Sequence, residues 1–345
     1  MADTQLIALD WGTTSLRAYR FDGSGQVAES RHLASGILRV ATDGGAPAGD
    51  PYAGFERAFD EACGDWRSAS PGSPILACGM IGSAQGWREA GYLEAPTDVG
   101  DLGRALTRVE TGSGAVLHII PGIIDRGPLP EVMRGEETQV AGVIGHGIDG
   151  VVEGVIDGGA AAPPGADARA GASTELWIGL PGTHAKWVRV QDRRIIGFHT
   201  FLTGEVFTAL CAHTILGRTM RPPATPDLAA FDRGVAVARS PRARAGVLST
   251  MFSTRTLGLV GELAAEAQAD YLSGLLVGHE LAGLEQLGAR LESAVLVGSD
   301  ALCQRYRRAL AAFGHPVATI AADATERGLW RVACSAGLVR RRAAC

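Results

Sequence analysis

Two short segments combine the residue types that can bind phosphate and a divalent cation. In the first, Asp10 closes an apolar run and is followed by Gly12, Thr13 and Thr14. Glycine lets the backbone approach an anion closely, and backbone N–H groups together with Thr hydroxyls can surround phosphate oxygens. The Asp10 carboxylate suits a water-bridged Mg²⁺, because hard cations take oxygen ligands. Taken alone, this segment is equally typical of an ordinary hairpin turn.

The second segment lies in the other half of the chain and contains Gly182, Thr183 and His184. Lys186, the only lysine of the sequence, follows on the strand that leaves this turn. Its ammonium would help to neutralise the charge of a transferred phosphate. The alternatives are an ordinary hairpin, a structural histidine and a lysine that survives by chance at a solvated position. Two such turns, one in each half, are a stronger indication than either alone.

The elements around the two turns repeat the same order of apolar strand, Gly/Thr turn and alternating strand. The first set covers residues 6–21 and the second covers residues 175–190. This predicts an internal duplication too weak to show as a sequence repeat. Hairpins at the start, rather than strand–helix units, argue against a Rossmann opening. The remaining pattern predicts helices over 55–66, 136–144 and 256–291, and strands over 75–78, 116–120 and 294–297.

Bulk properties narrow the class of protein. A length of 345 residues favours two domains, and 46% hydrophobic with 20% charged residues is a globular composition. The net charge of -5, without a basic block, argues against a nucleic-acid partner, and no apolar stretch reaches the roughly 18–20 residues that span a bilayer. The six cysteines are scattered, and no signal-type segment begins the chain. We therefore expect a cytoplasmic protein with reduced thiols.

The chain resembles a known superfamily in segments spread over nearly its whole length. Residues 7–18 resemble the first phosphate motif of actin-like sugar kinases, and residues 180–187 resemble the second. Residues 295–300 look like their adenosine motif, and residues 324–329 like their C-terminal connecting helix. Within that superfamily the chain is similar to 2-dehydro-3-deoxygalactonokinases. The segments that carry this likeness are 79–83, 86–87, 120–122, 133–139, 181–184 and 272–276.

The resemblance implies an α/β fold with two ribonuclease-H-like domains of the actin-like ATPase type and an ATP cleft between them. It implies an N-terminal domain over 1–147 with the first phosphate turn and the sugar-acid site. A flexible connection over 148–174 would follow, since its Gly, Ala and Pro composition is of low complexity. The C-terminal domain over 175–345 would carry the second phosphate turn and the adenosine site, with its last helix free to return to the N-terminal domain.

The resemblance also implies ATP and Mg²⁺ as cofactors, and phosphorylation of 2-dehydro-3-deoxy-D-galactonate at its terminal 6-hydroxyl. A carboxylate should accept the proton of that hydroxyl as it attacks the γ-phosphate. Glu136 stands where related sugar kinases usually carry an aspartate, so it is the expected base. The longer side chain leaves open whether Glu137 takes this role, and helix capping is the alternative for the pair. Asp10 would act through the metal.

The other site residues follow from the same likeness. Trp87 would stack on the sugar chain or serve only for packing, and Arg88 or Arg134, with Arg39 as a weaker candidate, would hold the substrate carboxylate. Gly298 and Ser299 would approach the adenosine or simply form a strand-to-helix turn. The residues expected to bind ATP and its phosphates are Gly12, Thr13, Thr14, Arg17, Gly182, Thr183, His184, Lys186, Gly298 and Ser299.

Three other functions stay open from the sequence. The same fold could phosphorylate another sugar or sugar acid, since ATP motifs discriminate poorly between acceptors. An actin-like ATPase switch is a second alternative, although the chain has no separate peptide-binding region. A sugar-acid sensor without activity is the third, and two complete phosphate turns argue against it. A homo-oligomer is compatible with all of them.

Overall fold

The computed structural model describes residues 4–42, 52–144, 175–292, 294–315 and 318–339. The low-complexity segment predicted to be a flexible connection lies outside these residues. The described residues form two compact units. Unit 1 contains residues 4–144, Gln191–Gly197 and the residues from 322 onward, and unit 2 contains residues 175–190 and Phe198–Ala321.

The strands, in chain order, are β1 (Leu6–Trp11), β2 (Leu16–Phe21), β3 (Val27–Leu33), β4 (Ile75–Gly79), β5 (Tyr92–Glu94), β6 (Thr97–Asp98), β7 (Thr107–Glu110), β8 (Val116–Ile119), β9 (Gly122–Asp125), β10 (Glu131–Met133), β11 (Glu175–Leu180), β12 (Ala185–Gln191), β13 (Arg194–Phe201), β14 (Val295–Leu296) and β15 (Thr319–Ile320). The helices are α1 (Ile37–Thr42), α2 (Ala53–Ala69), α3 (Glu136–Ile144), α4 (Thr203–His213), α5 (Leu228–Ala238), α6 (Val247–Thr250), α7 (Ser253–Leu259), α8 (Gln268–Gln286), α9 (Asp300–Ala312) and α10 (Ala324–Ser335).

Unit 1 is built on a six-stranded sheet in the order β3-β2-β1-β4-β8-β7. β1 lies in its middle, antiparallel to β2 and parallel to β4, and its apolar residues are buried. α2 covers this sheet with a stripe of buried side chains at helical spacing that includes Phe55, Phe59, Ala62 and Trp66. The alternation of the strands and the periodicity of the helix are therefore satisfied by one shared core.

Unit 2 repeats the order of unit 1 in its own sheet. Its strands run β15-β14-β11-β12-β13, which corresponds to β8-β4-β1-β2-β3, and β14 is parallel to both β11 and β15. The predicted internal duplication is confirmed by this shared strand order. The predicted α/β fold class with two domains is confirmed as well.

The last helix, α10, packs against α3 inside unit 1. A Cβ on Gly142 would lie 1.8 Å from the Ala324 carbonyl oxygen, and one on Gly328 would lie 1.8 Å from the Thr138 carbonyl oxygen. The two helices thus approach each other where each lacks a side chain. This contact explains why the residues from 322 onward group with unit 1, a return that the predicted boundaries had left open for the last helix.

The helical pattern predicted over 256–291 divides into two helices. α7 ends at Leu259, where Gly261 takes a φ of 75° and the Glu262 N–H donates to the Leu257 carbonyl at 2.8 Å. This is the left-handed glycine termination that commonly ends a helix. α8 then begins at Gln268 and carries the apolar stripe expected to be core, which is buried at Leu272, Leu275, Leu276 and Leu281.

Candidate active site

The ends of β1 and β4 place the first candidate residues beside one another in unit 1. The parallel register sets Asp10 opposite Cys78 and Trp11 opposite Gly79. The Cys78 thiol lies 3.9 Å from a carboxylate oxygen of Asp10, and Arg17 on the neighbouring strand lies 3.4 Å from the other oxygen. Burial raises the pKa of the Asp10 carboxyl, and the nearby Arg17 guanidinium opposes this shift.

Two glycines bring the start of α3 to the same edge of the sheet. Gly79 has a φ of 91°, and a Cβ there would lie 2.8 Å from the Trp11 carbonyl oxygen. Gly135 has a φ of 107°, and its Cβ would lie 3.3 Å from the Gly79 Cα. Both positions therefore favour glycine through conformation and close approach. As a result Glu136 and Glu137 follow directly on a loop that contacts the end of β4.

The first phosphate turn is held from outside by the start of α1. The Ile37 N–H donates to the Gly12 carbonyl at 3.1 Å, and a Cβ on Gly36 would lie 2.4 Å from the Thr13 carbonyl oxygen. Thr13 and Thr14 are exposed, so their hydroxyls face solvent rather than the core. The backbone of the turn is thereby fixed while its polar side chains are available to a ligand.

The two adjacent glutamates have different surroundings. Glu136 is half-buried and accepts a hydrogen bond from the Arg134 N–H at 3.0 Å. Glu137 is fully buried and accepts from the Gly135 N–H at 2.6 Å and from the Thr138 hydroxyl at 3.1 Å. Burial, with a smaller effect of the neighbouring Glu136 charge, raises the pKa of Glu137 to about 8. The structure brings Asp10, Glu136 and Glu137 to one edge of the unit 1 sheet.

Trp87 does not present an open ring face, which corrects the prediction that it stacks on a sugar. It is 3% exposed and packs against Trp11, Phe55 and Phe59 at centroid distances of 6.3, 6.0 and 5.7 Å. Burying an aromatic ring of this size stabilises the core of unit 1. Its role is packing behind the Asp10 turn.

The three candidate arginines differ in how accessible they are. Arg134 donates from Nη2 to the Ala90 carbonyl at 2.7 Å and stacks at 4.3 Å over the Tyr92 ring, while its Nε and Nη1 are buried without a partner. Arg88 is exposed. Arg39 is exposed on α1 and donates to the Ala34 carbonyl at 3.2 Å. The structure thus encloses Arg134 and leaves Arg88 and Arg39 open to solvent.

The second phosphate turn joins β11 to β12 in unit 2 and is held by the start of α4. The Glu205 N–H donates to the Thr183 carbonyl at 2.9 Å. A Cβ on Gly204 would lie 2.4 Å from the Gly182 carbonyl oxygen, so the helix backbone touches the turn. The His184 ring and the Glu205 carboxyl group form a close hydrogen bond, and both side chains are about half exposed. Thr183 is exposed, as Thr13 is in unit 1.

The predicted adenosine turn lies next to this phosphate turn. A Cβ on Gly298 would lie 3.4 Å from the Pro181 carbonyl oxygen, and Ser299 immediately precedes α9. Both Gly298 and Ser299 are exposed. Lys186, in contrast, is only 5% exposed, so the alternative of a lysine at a solvated position is wrong.

A cavity of about 260 Å³ opens beside the second phosphate turn. Its lining residues are Gly182, Thr203, Gly204, Phe207, Asp270, Ser273, Leu276, Val277, Leu302, Arg305 and Tyr306. A mostly apolar wall with a few polar groups is typical of a small-molecule site. A larger cavity of about 480 Å³ lies near Arg239 and His279, but it contains none of the predicted site residues.

Sequence reasoning missed several residues of this region. Asp270 and Arg305 form an ion pair at 2.5 Å beside the cavity, and Glu280 is buried behind it. The sequence did contain a signal for them, since acidic residues interrupt the apolar pattern of α8. A carboxylate on a buried helix face is expected to have a partner, because carboxylates are rarely fully buried unless they are paired. Cys78 was not recognised as a neighbour of Asp10, since only the parallel register places it there.

Two kinds of feature are absent from the residues that the structure describes. These ranges contain no cluster of three or more His, Cys, Asp or Glu side chains that could hold a metal ion. No helix among them is both long and apolar enough to span a membrane.

Comparisons with known proteins agree with one another. The chain matches a family model described as 2-keto-3-deoxy-galactonokinase over residues 10–332. It is 33% identical over 318 residues to the 2-dehydro-3-deoxygalactonokinase of Escherichia coli (strain K12), covering 92% of this chain and 93% of that protein. A Rhizobium meliloti (strain 1021) protein assigned the same activity, DgoK1, is 34% identical over 322 residues, with 93% of each chain covered.

One solved structure is similar over almost the entire chain. It is the crystal structure of a Sinorhizobium meliloti protein assigned as a 2-dehydro-3-deoxygalactonokinase. The TM-score is 0.77 at 32% sequence identity, with 96% of this chain and 98% of that chain covered.

Proposed function

Because the chain belongs to the 2-keto-3-deoxy-galactonokinase family, we propose that it transfers the γ-phosphate of ATP to the 6-hydroxyl of 2-dehydro-3-deoxy-D-galactonate. The resemblance seen in the sequence is confirmed by this membership. The observation that carries the proposal is the family match over residues 10–332, which contains both phosphate turns and both candidate carboxylates. ATP as the donor favours a cytoplasmic enzyme of galactonate breakdown.

We assign the role of general base to Glu136. A base must be ionised at the working pH, and the raised pKa of Glu137, about 8, keeps that side chain mostly neutral at pH 7. Glu136 is less buried and stands in the first turn of α3, where the positive end of the helix dipole favours its charge. Glu136 takes the proton from the attacking hydroxyl of the sugar acid. Glu137 accepts a hydrogen bond from the Gly135 N–H and thereby fixes the loop before α3.

The phosphate turns and the cavity of unit 2 suit the nucleotide. We assign the phosphates to the exposed backbone and hydroxyl group of Thr183, and the nucleoside to the cavity beside Gly182. His184, held by Glu205, orients a phosphate oxygen.

Mg²⁺ fits the donor set of this site. Mg²⁺ keeps several waters and binds through one or two carboxylates together with substrate phosphates, so Asp10 alone can hold it without a cluster of protein ligands. When bound, the ion neutralises charge on the phosphates. Asp10→Asn should lower kcat at least about 100-fold at saturating Mg²⁺, by the scale of other catalytic charges. Activity within about threefold of wild type would remove Asp10 from the site.

The substrate carboxylate is assigned to Arg88, because its guanidinium is exposed whereas that of Arg134 is enclosed. Arg88→Gln should raise KM for the sugar acid about tenfold to a hundredfold, which corresponds to losing a charged hydrogen bond of about 1.5–3 kcal/mol. Arg134→Gln is the matched control and should chiefly lower the melting temperature. A reversed pattern would transfer the role to Arg134.

The first experiment is ADP release by the intact protein with three acceptors. 2-Dehydro-3-deoxy-D-galactonate, its gluconate epimer and glycerol are compared at equal concentration, with Glu136→Gln as the inactive control. Release that depends on the galactonate compound is expected. ADP release with the gluconate epimer alone would reassign the substrate but leave the proposed mechanism unchanged. Release that needs no acceptor would instead support an actin-like ATPase switch.

A further inference from the structure

Four elements of unit 2 meet at one buried carboxylate, that of Glu280 on α8. Its Oε1 accepts from the Trp187 indole N–H at 2.7 Å, and its Oε2 accepts from the Tyr306 hydroxyl at 2.8 Å. The Thr203 hydroxyl donates to the same Oε2. Glu280 is 3% exposed, so its carboxylate is shielded from water. A carboxylate in such a position is retained only when its lone pairs are satisfied.

One of these partners connects the carboxylate to the second phosphate turn. Thr203 is the first residue of α4, and the next two residues contact the turn directly. Gly204 touches Gly182, and the Glu205 N–H donates to the Thr183 carbonyl. Glu280 therefore fixes the start of α4 through Thr203. The next two residues of α4 in turn contact the second phosphate turn.

The same carboxylate also borders the candidate nucleoside cavity from behind. Thr203 and Tyr306 line that cavity, whereas Glu280 itself does not. Its hydrogen bonds fix the rotamers of both lining side chains, one from α4 and one from α9. An effect of Glu280 on nucleotide binding would thus have to act through these two residues.

We propose that Glu280 is a positioning residue for the nucleotide, which holds the start of α4 and the side chain of Tyr306 so that the second phosphate turn and its cavity fit ATP. This inference rests on the proposed kinase function. Glu280 contacts no reacting atom, so its contribution lies in nucleotide affinity and not in the transfer step.

The ionised form of Glu280 is the form that can accept all three hydrogen bonds. Burial raises its pKa to about 6, against the opposing effect of its three donors. Of the groups around it, Tyr306 is the titratable one in direct contact, Asp270 and Arg305 pair with each other, and His279 bonds to Thr250. Since a protonated carboxyl must donate one bond, nucleotide affinity should fall as the pH falls through about 6.

The test compares Glu280→Gln with wild type in the intact protein. KM for ATP, and the Kd for ADP measured by calorimetry, should rise about tenfold at pH 7.5, while KM for the sugar acid and kcat stay within about twofold. The dependence of the ADP Kd on pH between 5.5 and 7 should be weaker in the variant than in wild type. A double-mutant cycle with Thr203→Val should show that the two effects are not additive, because both remove the same hydrogen bond.

Thr250→Val is the matched control. It removes a part-buried side-chain hydrogen bond to His279, the residue before Glu280 on α8, without touching the turn. The proposal is overturned if Thr250→Val shifts KM for ATP equally, if Glu280→Gln lowers only the melting temperature, or if it raises both KM values alike. Should Glu280→Gln fail to fold, the ADP Kd of Thr203→Val is compared with that of Thr203→Ser. Only serine keeps the hydroxyl, so only the valine variant should bind ADP more weakly. ADP binding needs no acceptor, so a wrong sugar acid would leave this test intact.

Discussion

At the residue scale, the proposed active site contains two adjacent glutamates that have different surroundings. Glu136 is half-buried beside the Arg134 N–H, and Glu137 is enclosed with the Gly135 N–H and the Thr138 hydroxyl. Neighbouring titratable groups whose pKa values are moved apart are a common basis for dividing acid and base roles. Here burial raises the pKa of Glu137, the second glutamate of the pair.

The two glutamates should therefore respond differently to the same substitution. Glu136→Gln removes the proposed base and should lower kcat about 10²- to 10⁴-fold. Glu137→Gln resembles the neutral acid already present at pH 7 and should keep kcat within about tenfold of wild type. Steady-state kinetics at saturating ATP and sugar acid provide the measurement. Equal losses in both variants would contradict the assignment of the base.

The buried Glu137 should also make stability depend on pH. Its pKa is raised from 4.5 to about 8 in the folded protein, so the folded state binds a proton more tightly than the unfolded state. Its contribution is fully present below pH 4.5 and is lost as the pH rises toward 8. Melting temperatures at pH 5.5 and 8.5 should show a smaller decrease in Glu137→Gln than in wild type. Parallel decreases in the two proteins would show that Glu137 ionises freely in the fold.

At the element scale, α3 is positioned by the helix behind it. α10 approaches α3 through Gly142 and Gly328, and Arg331 on α10 donates to the Ala141 carbonyl at 2.7 Å. A side chain at either glycine would meet backbone and not a flexible side chain. The location of the glutamates at the start of α3 therefore depends on a contact made 190 residues later in the chain.

Gly328→Ala should accordingly lower the free energy of unfolding by about 3 kcal/mol, at the upper end of the usual cost of overpacking. Gly64→Ala in α2 is the matched control, because its nearest neighbour would be the Asp60 Cβ at 3.8 Å. That change should stabilise the protein by about 0.5–1 kcal/mol, since alanine is the better helix former. Urea denaturation measures both. A neutral Gly328→Ala would mean that α10 shifts freely on α3.

At the scale of the whole molecule, unit 1 is completed only by the end of the chain. α10 buries Leu329 and Val332, and Trp330 stacks on Phe21 at a centroid distance of 5.7 Å. The six-stranded sheet of unit 1 is complete before residue 120, but this face of its core is covered by residues that follow unit 2 in the sequence. The two units are therefore not independent segments of chain.

A chain that ends at residue 321 should expose this apolar face and lose the cooperative unfolding of unit 1. Binding of a hydrophobic dye and the near-UV circular dichroism of the tryptophans are the measurements. Leu329→Ala in the intact chain is a milder change to the same face, and it should lower the free energy of unfolding by about 2–5 kcal/mol. If the shortened chain melted cooperatively at the wild-type temperature, α10 would not belong to the core of unit 1.

The sequence by itself determined the local features of this protein. The turns after β1 and β11, the helix that begins at Glu136 and the apolar stripe of α8 follow from residue types and spacing, because these features depend on neighbours in the chain. The resemblance to sugar kinases could also be seen there, since its motifs are short and contiguous. The duplicated strand order was inferable from the two similar hairpins.

Only the tertiary structure decided which of these residues share surroundings. The burial that separates Glu137 from Glu136, the packing of Trp87 and the enclosure of Arg134 arise from contacts between distant segments. Glu280 illustrates the same point, because its three partners lie 26, 77 and 93 residues away in the sequence. Spacing along a chain predicts periodicity, but burial and hydrogen bonding at such separations depend on how the elements pack.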